Sequence, residues 1–154
     1  MKKEKQNACS ATLIVLGDDL DPDLVSHSLG LIPDQAWRRG ERKSFVKADG
    51  TTHYFDSHHE RGGWKSFTTE KRLHIGLVKQ IEYWCDTLKA RKQSIRELQE
   101  LGYKFIIDCC IVSETTEFLS IGSKLQQVLG DLKVDLDVTF YSHRDVNLVL
   151  QREI

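Results

Sequence analysis

The sequence predicts an α+β fold, with a mixed or antiparallel sheet of about five to seven strands and helices packed mainly on one face. Strand-like segments occur near both ends of the chain, and short β segments rich in turn residues occupy positions 35–69. A long helical pattern lies between this region and the last strands. A chain of 154 residues is long enough for one domain with one hydrophobic core.

The chain opens with a predicted strand followed by a capped helix. Positions 11–16 are apolar on both alternating sets, as expected of a central strand covered on two sides. Asp21 suits a helix N-cap, and Pro22 suits the first helical position. Gly30 can supply a left-handed C-cap. We therefore expect a strand, an acidic turn and a short helix in this order.

The region from 35 to 69 predicts short strands joined by turns. Asp49-Gly50, between the strand-like segments 44–47 and 52–55, predicts a hairpin with a two-residue type I′ turn. A polar loop and another strand, at 64–68, follow the hairpin.

Positions 70–101 are predicted to be helical. Apolar residues recur there at steps of three and four, at Leu77, Ile81, Trp84, Leu88, Ile95 and Leu98. One continuous helix would be ~45 Å long, which exceeds the width of a small sheet. We expect a bend or break near positions 89–92, which gives one bent helix or two helices. The same spacing also fits a dimer seam, so both a monomer and a homodimer remain open.

The last part of the chain returns to strands. Segments 103–112 and 134–141 predict strands, and the second alternates between a buried and a wetter face. Between them we expect a short strand at 117–121 and a helix at 123–129 that is closed by Gly130. We expect one domain over 11–142, a disordered N-terminus over 1–10, and a tail over 143–154 that either packs on the domain or lies free of it.

Composition excludes several classes of function. The formal net charge of −1 provides no general attraction to nucleic acid or to an anionic membrane. No stretch approaches the ~20 apolar residues of a membrane span, and the apolar run at 11–16 is too short for a secretory signal. We therefore expect a cytoplasmic protein with no membrane partner.

The four cysteines, Cys9, Cys85, Cys109 and Cys110, show no CxxC spacing and no regular framework. Cys109 and Cys110 are adjacent in a predicted strand, so their side chains point to opposite faces and are poorly placed to share a metal. We expect reduced thiols that are buried or half-buried, which agrees with a cytoplasmic location.

Several short motifs in these elements resemble those of a known family. They are Gly17-Asp18-Asp19-Leu20-Asp21-Pro22 after the first strand, Leu29-Gly30-Leu31 followed by Pro33, Arg39-Gly40-Glu41, Gly63-Trp64 and Gly102-Tyr103. On these residues the chain resembles the bacterial family of domains of unknown function numbered 4279, over most of positions 11–141. The resemblance implies a compact α+β domain and no established activity, cofactor or catalytic residue.

The acidic turn is one candidate for metal binding. It holds four aspartates within six residues, Asp18, Asp19, Asp21 and Asp23. An EF-hand loop starting at Asp19 would need a glycine where this chain has Leu24 and a bidentate glutamate where it has Gly30. That interpretation therefore fails. Aspartates are also favoured at the start of a helix, and we expect this role for them.

A second candidate for metal binding is the histidine loop. His53, His58 and His59 lie close together in sequence with carboxylates nearby, and these residue types bind transition metals. Their spacing matches no helical pair of ligands, so a solvated loop is the alternative interpretation. Together with the acidic turn, this loop forms the alternative hypothesis of a metal-binding domain that could support hydrolysis.

The segment from Arg38 to Lys47 is strongly basic, with five bases against one acid, Glu41. Aromatic residues on neighbouring strands would let it bind an anionic ligand or stack a nucleic-acid base. Alternatively, such charges protect edge strands from pairing with other chains, or they lie at the polar rim of a protein–protein interface. The near-neutral net charge disfavours nucleic acid.

No GxSxG elbow and no glycine-rich phosphate loop is present, so we expect a non-enzymatic protein without a cofactor. Our leading hypothesis is a small binding module that acts through contact with another protein, with an immunity or inhibitor role as one setting. Tryptophan and arginine dominate binding hot spots. The residues expected to contact the partner are Trp37, Arg38, Arg39, Arg42 and Trp64.

Overall fold

A computed structural model describes residues 8–68 and 75–142. Within these ranges the chain forms seven strands and four helices. In chain order they are β1 (Ala8–Gly17), α1 (Pro22–Leu29), β2 (Gln35–Trp37), β3 (Arg42–Val46), β4 (Thr52–His58), β5 (Gly62–Ser66), α2 (Leu77–Lys89), α3 (Lys92–Glu100), β6 (Lys104–Val112), α4 (Ser123–Leu132) and β7 (Val134–Tyr141).

The main sheet has five strands in the order β2-β5-β1-β6-β7. Strands β6 and β7 are parallel and the other neighbours are antiparallel, so the sheet is mixed. Strands β3 and β4 form a separate two-stranded sheet. Side chains from one face of the main sheet, among them Leu13, Trp64 and Phe105, form one core with the buried residues of all four helices. The predicted α+β class, with helices on one face of a mixed sheet, is confirmed.

Strand β1 lies at the centre of the sheet, as predicted for positions 11–16. It begins at Ala8, so the last three residues of the N-terminal segment that we expected to be disordered belong to this strand. Pairing with β6 extends to Ala8, opposite Val112, and this ladder explains the longer strand. The expectations for residues 1–7 and 143–154 lie outside the described residues.

Helix α1 has both of its predicted caps. The Asp21 side chain accepts a hydrogen bond from Asp23 N (3.0 Å), and Pro22 is the first helical residue. Gly30 adopts φ 63° and its N–H donates to Ser26 O, which closes the helix C-terminus. The Asp21 N–H donates to the hydroxyl oxygen of Tyr103 (3.1 Å), so the acidic turn is held against the start of β6.

The predicted break in the long helical region is confirmed, because α2 ends at Lys89 and α3 begins at Lys92. The Arg91 guanidinium donates to Leu29 O and Thr87 O, so one side chain satisfies carbonyls at the C-terminal ends of α1 and α2. Helix α2 starts at Leu77, later than expected, and residues 69–74 lie outside the described part of the chain. The predicted apolar stripe is buried in the core of the domain, so it is not a dimer seam.

Three local predictions were wrong. The turn between β3 and β4 is a three-residue loop, in which Gly50 N donates to Lys47 O (2.9 Å) and Gly50 alone has a positive φ (84°). A type I′ turn would need positive φ at Asp49 as well; here the Asp49 side chain instead accepts from Thr51 N. Residues 117–121 form no strand. Helix α4 continues past Gly130 and ends at Leu132, with Lys133 as its left-handed C-cap (φ 52°).

Candidate binding groove

The acidic turn and the basic segment neutralise each other. Arg38 forms ion pairs with Asp21 (2.8 Å) and Asp23 (2.9 Å), and Arg39 lies 3.7 Å from Asp19. Desolvation opposes ionisation of Asp21, but hydrogen bonds from Asp23 N and Arg38 outweigh it and lower the pKa of this carboxyl. Two features that the sequence suggested as separate sites therefore form one ion-pair network. Its role is to tie the segment after β2 to the start of α1.

Trp64 does not lie on the surface. Its side chain is 0% exposed, in the core between β1 and α1, and its indole N–H donates to Ser26 Oγ (3.0 Å). Trp64 pairs with Val15 across the β1–β5 ladder and faces the helices with it. The expectation that Trp64 is an exposed contact residue was wrong, because burial against helix α1 decides its position.

Trp37 is half-buried and lies flat over the backbone of β5. Its ring occupies the space that a Cβ atom at Gly63 would need. His59 stacks on the ring at 4.5 Å between centroids with an interplanar angle of 17°, and Lys65 Nζ lies 5.5 Å from the ring centroid. The indole N–H donates to Arg61 O (3.0 Å). Trp37 is thus fixed at the boundary between the main sheet and the hairpin.

One face of the β3–β4 hairpin carries an aromatic cluster. Phe45 packs on His53 (5.3 Å between centroids) and on Phe55 (5.6 Å), and all three side chains are half-buried. Arg42 supports the other side of the hairpin, with Nε donating to Phe55 O (2.6 Å) and Nη2 bonded to Asp56 (3.1 Å).

The hairpin face and strand β2 enclose an open groove of about 770 Å³. Phe45 and Phe55 line it on the hairpin side, Trp37 lines it on the β2 side, and His59 lies at the joint between them. Lys43 and Lys65 reach the same groove, and neither forms an ion pair with a described residue.

The charges in this groove act on His59. Burial lowers the pKa of His59, and the nearby cations Lys43 and Lys65 lower it further, while Glu41 acts in the opposite direction. The lowered pKa favours the neutral form of His59, and Lys43 and Lys65 supply positive charge beside it. The groove combines aromatic surface with two lysines that form no ion pair within residues 8–68 and 75–142.

The predicted metal ligands do not come together. His53 lies in the aromatic cluster, His59 stacks on Trp37, and His58 is exposed opposite Arg42 on the hairpin. Within residues 8–68 and 75–142, no three His, Cys, Asp or Glu side chains lie close enough to hold a metal ion. The alternative hypothesis of a metal site built from the acidic turn and the histidine loop has no geometric basis in these ranges.

The cysteines are free thiols, as predicted. Cys85 and Cys109 are buried and Cys9 and Cys110 are half-buried. Burial raises the pKa of Cys85 to about 11 and that of Cys109 to about 12. Burial also raises the pKa of Cys9. Because thiolates are the reactive form, these three residues are poor nucleophiles at neutral pH.

The model of one protein family, described as "Domain of unknown function (DUF4279)", matches residues 7–143. The chain belongs to this family. The DUF4279 match covers every element of the fold and the whole groove. Searches of curated proteins and of solved structures gave no match. None of the described helices of this DUF4279 domain is long and apolar enough to cross a membrane.

Sequence reasoning identified part of this groove. Trp37 and Arg42 border it, whereas Arg38 and Arg39 lie outside it and pair with the acidic turn. Lys65 and Phe55 were missed. The alternation of His53 and Phe55 along β4 was the available signal for the aromatic face, but the partner across the groove depends on tertiary structure.

Proposed function

We propose that this DUF4279 domain is a non-enzymatic binding module that contacts another protein through the groove between the hairpin and β2. The observation that carries the proposal is the combination, in one open groove, of half-buried aromatic rings with two lysines that form no ion pair with any residue the structure describes. Aromatic side chains provide large contact area, and charges around them give specificity and orientation.

The structure changes which of the expected contact residues support this function. Trp37 and Arg42 remain, because both border the groove. Arg38 and Arg39 are held by aspartates and position the segment between β2 and β3. Phe45 replaces Trp64 as the aromatic contact from a strand, because Trp64 is buried in the core.

Binding of nucleic acid or of a simple anion is less well supported. Three of the arginines in the basic segment, Arg38, Arg39 and Arg42, are paired with aspartates and are not free for phosphate. The groove also contains the carboxylates of Asp34 and Glu41, so it lacks the continuous positive charge that binds the backbone of a nucleic acid.

The proposed setting is the cytoplasm, since free thiols persist in a reducing compartment. An immunity or inhibitor protein is one form that such a module takes, and there the groove would hold a segment of the inhibited protein. This assignment rests on domain size and on the type of surface.

Affinity capture from the native host's lysate, read by mass spectrometry, tests the proposal. We expect one specific partner with the wild-type chain and its loss with Phe45→Ala, with binding weakened by about 1–2 kcal/mol or more. Arg39→Ala should bind nearly normally, because Arg39 lies outside the groove and makes a long ion pair. Arg96→Ala, exposed on α3, serves as the matched surface control.

Thermal unfolding must accompany these variants, so that loss of binding is not loss of folding. If Phe45→Ala melts like the wild-type chain and still captures the same partner at the same affinity, the groove is not the contact surface.

A further inference from the structure

Two strand edges without partners face the groove. Strand β2 ends the five-stranded sheet, and β3 forms a ladder only with β4 among the described residues. Every residue of β2 and every residue of β3 lines the groove, whereas β4 contributes only Phe55 and Ser57, which belong to one face. Alternate residues of a strand point to opposite faces, so both sets can border one groove only where the edge of the strand faces it.

The backbone groups on these edges can be assigned by alternation. Lys65 O faces β2, because it accepts from Asp34 N, so Gln35–Lys65 and Trp37–Gly63 are the hydrogen-bonded pairs of the β2–β5 ladder. The N–H and C=O groups of Ala36 therefore lie on the free edge of β2. Lys47 N donates to Thr51 O towards β4, so the N–H groups of Ser44 and Val46 point away from β4. The irregularity in the β3–β4 ladder lies before Ser44, so it does not change the assignment of the Ser44 and Val46 N–H groups.

The two edges are short, which protects them from indiscriminate pairing. Strand β3 has five residues and an edge of about 17 Å at ~3.3 Å per residue, and β2 has three residues. One extended segment between them would gain hydrogen bonds from both sides. It would join the main sheet and the hairpin into one sheet.

The side chains around the gap select the chemistry of the segment. Phe45 and Phe55 offer an apolar contact. Among the described residues Lys43 and Lys65 have no ion-pair partner, whereas Arg42 is bound to Asp56. Of the two carboxylates in the groove, Asp34 already accepts a hydrogen bond from Phe67 N (2.6 Å), and Glu41 lies beside His59. An acidic side chain of the bound segment, placed between the two lysines, would neutralise their positive charges.

We propose that the groove binds an extended acidic segment of a partner protein by strand addition between β2 and β3. This inference rests on the proposed function and specifies its binding mode. Backbone hydrogen bonds to Ala36, Ser44 and Val46 would fix the segment, with one apolar side chain on the Phe45–Phe55 surface and acidic side chains near Lys43 and Lys65.

The probe is a phage-displayed library of random peptides of about ten residues, which exceeds the usual length of a strand. Panned on the full chain, it should yield peptides in which acidic and apolar residues alternate, without proline at the centre. The double variant Lys43→Glu/Lys65→Glu should weaken binding of these peptides roughly tenfold or more, because the new glutamates would repel the acidic side chains of the peptides. Arg96→Ala should leave binding unchanged.

Backbone pairing is then tested with N-methylated copies of the best peptide. Methyl groups on two alternate central amides remove hydrogen bonds and preserve the side chains, so affinity should fall by roughly tenfold or more. Methylation of the terminal residue is the control and should have little effect. In the complex, hydrogen exchange should slow at the amides of Ala36, Ser44 and Val46.

The outcomes separate the binding mode from the proposed function. Full affinity of the centrally methylated peptides, or unchanged exchange at those three amides, would overturn strand addition, while sensitivity to Phe45→Ala would preserve the groove as the contact surface. Enrichment of basic or proline-rich peptides, or of none, would also overturn it. A dimer of this chain that is lost in Lys43→Glu/Lys65→Glu would assign the groove to a second copy instead.

Discussion

His59 reports the electrostatics of the groove at the scale of a single side chain. Its ring is held on Trp37 and its pKa is lowered first by burial and then by the Lys43 charge. We expect an NMR titration to give His59 a pKa below the ordinary value of 6.5. Lys43→Ala should raise this pKa, and Glu41→Gln should lower it further. If both variants titrate like the wild-type chain, the two side chains do not act on His59.

Gly63 shows how a single hydrogen atom in place of a side chain determines the position of Trp37. An added methyl group would overlap the Trp37 ring. We expect Gly63→Ala to lower the free energy of unfolding by about 1–3 kcal/mol through overpacking and to displace the ring from His59. Chemical denaturation measures the first effect, and the chemical shifts of the His59 ring measure the second.

Gly130 is the matched control for that substitution. It lies inside helix α4 with open space where a Cβ would stand. Gly130→Ala should therefore stabilise the protein by about 0.5–1 kcal/mol, because alanine loses less backbone entropy in a helix. Equal effects of the two glycine substitutions would contradict the assignment of the Trp37 ring to the space over Gly63.

At the scale of elements, side chains replace a missing strand beside β1. The ladder with β5 covers Leu13–Gly17 only, so the first part of β1 has no strand on that side. The Gln80 side chain accepts from Ala11 N (3.0 Å) and donates to Cys9 O (3.2 Å). Ala11 O accepts from Thr68 Oγ1 and from Trp84 Nε1 (2.9 Å). Helix α2 thereby completes the edge of a strand.

Gln80 is fully buried, so its loss has a clear cost. Gln80→Leu should lower the free energy of unfolding by about 1–3 kcal/mol, because the Ala11 N–H would remain buried without an acceptor. Gln93→Leu is the control, since Gln93 is exposed on α3 and its change should stay within about 0.5 kcal/mol. Equal losses in the two variants, measured by denaturant unfolding, would show that the Gln80 bonds contribute little.

The elements differ in how far sequence alone determines them. The start of α1 was predictable because Asp21, Pro22 and Gly30 act on their own backbone. The break near Arg91 was predictable because a single helix would have been too long. The turn at Asp49-Gly50 was not, since the same dipeptide fits both a type I′ turn and a loop in which glycine alone has positive φ.

At the scale of the whole molecule, the candidate site depends on contacts between distant segments. The acidic turn and the arginines after β2 each looked like a binding site, and only their proximity in the fold shows that they pair. Trp64 looked like a surface residue in a region rich in turns, but the β1–β5 ladder places it in the core. Such non-local pairings leave no periodic signal in one sequence.

The ion-pair network also links stability to pH. The pKa of Asp21 is lowered in the fold, so its contribution is present above the ordinary carboxyl pKa and is lost as pH falls through the lowered value. We expect Asp21→Asn, which retains an N-cap acceptor, to lose less stability than the wild-type chain during acidification. The pKa of Asp49 is also lowered, by its bonds to Thr51, but this effect is the same in both chains. The difference in pH dependence between the two chains therefore reports the contribution of Asp21. Parallel curves of melting temperature against pH would contradict this expectation.

The central position of β1 has a consequence for synthesis of the protein. Thr12 of β1 pairs with Asp108 of β6, which a ribosome adds ~5–20 s later at ~5–20 residues per second. During that interval the apolar strand β1 lacks its β6 partner and is open to other chains. Rapid formation of the β1–β5 ladder, which needs the chain only to Ser66, would shorten this exposure. Nascent chains stalled between β5 and β6 should therefore be the species most dependent on chaperones.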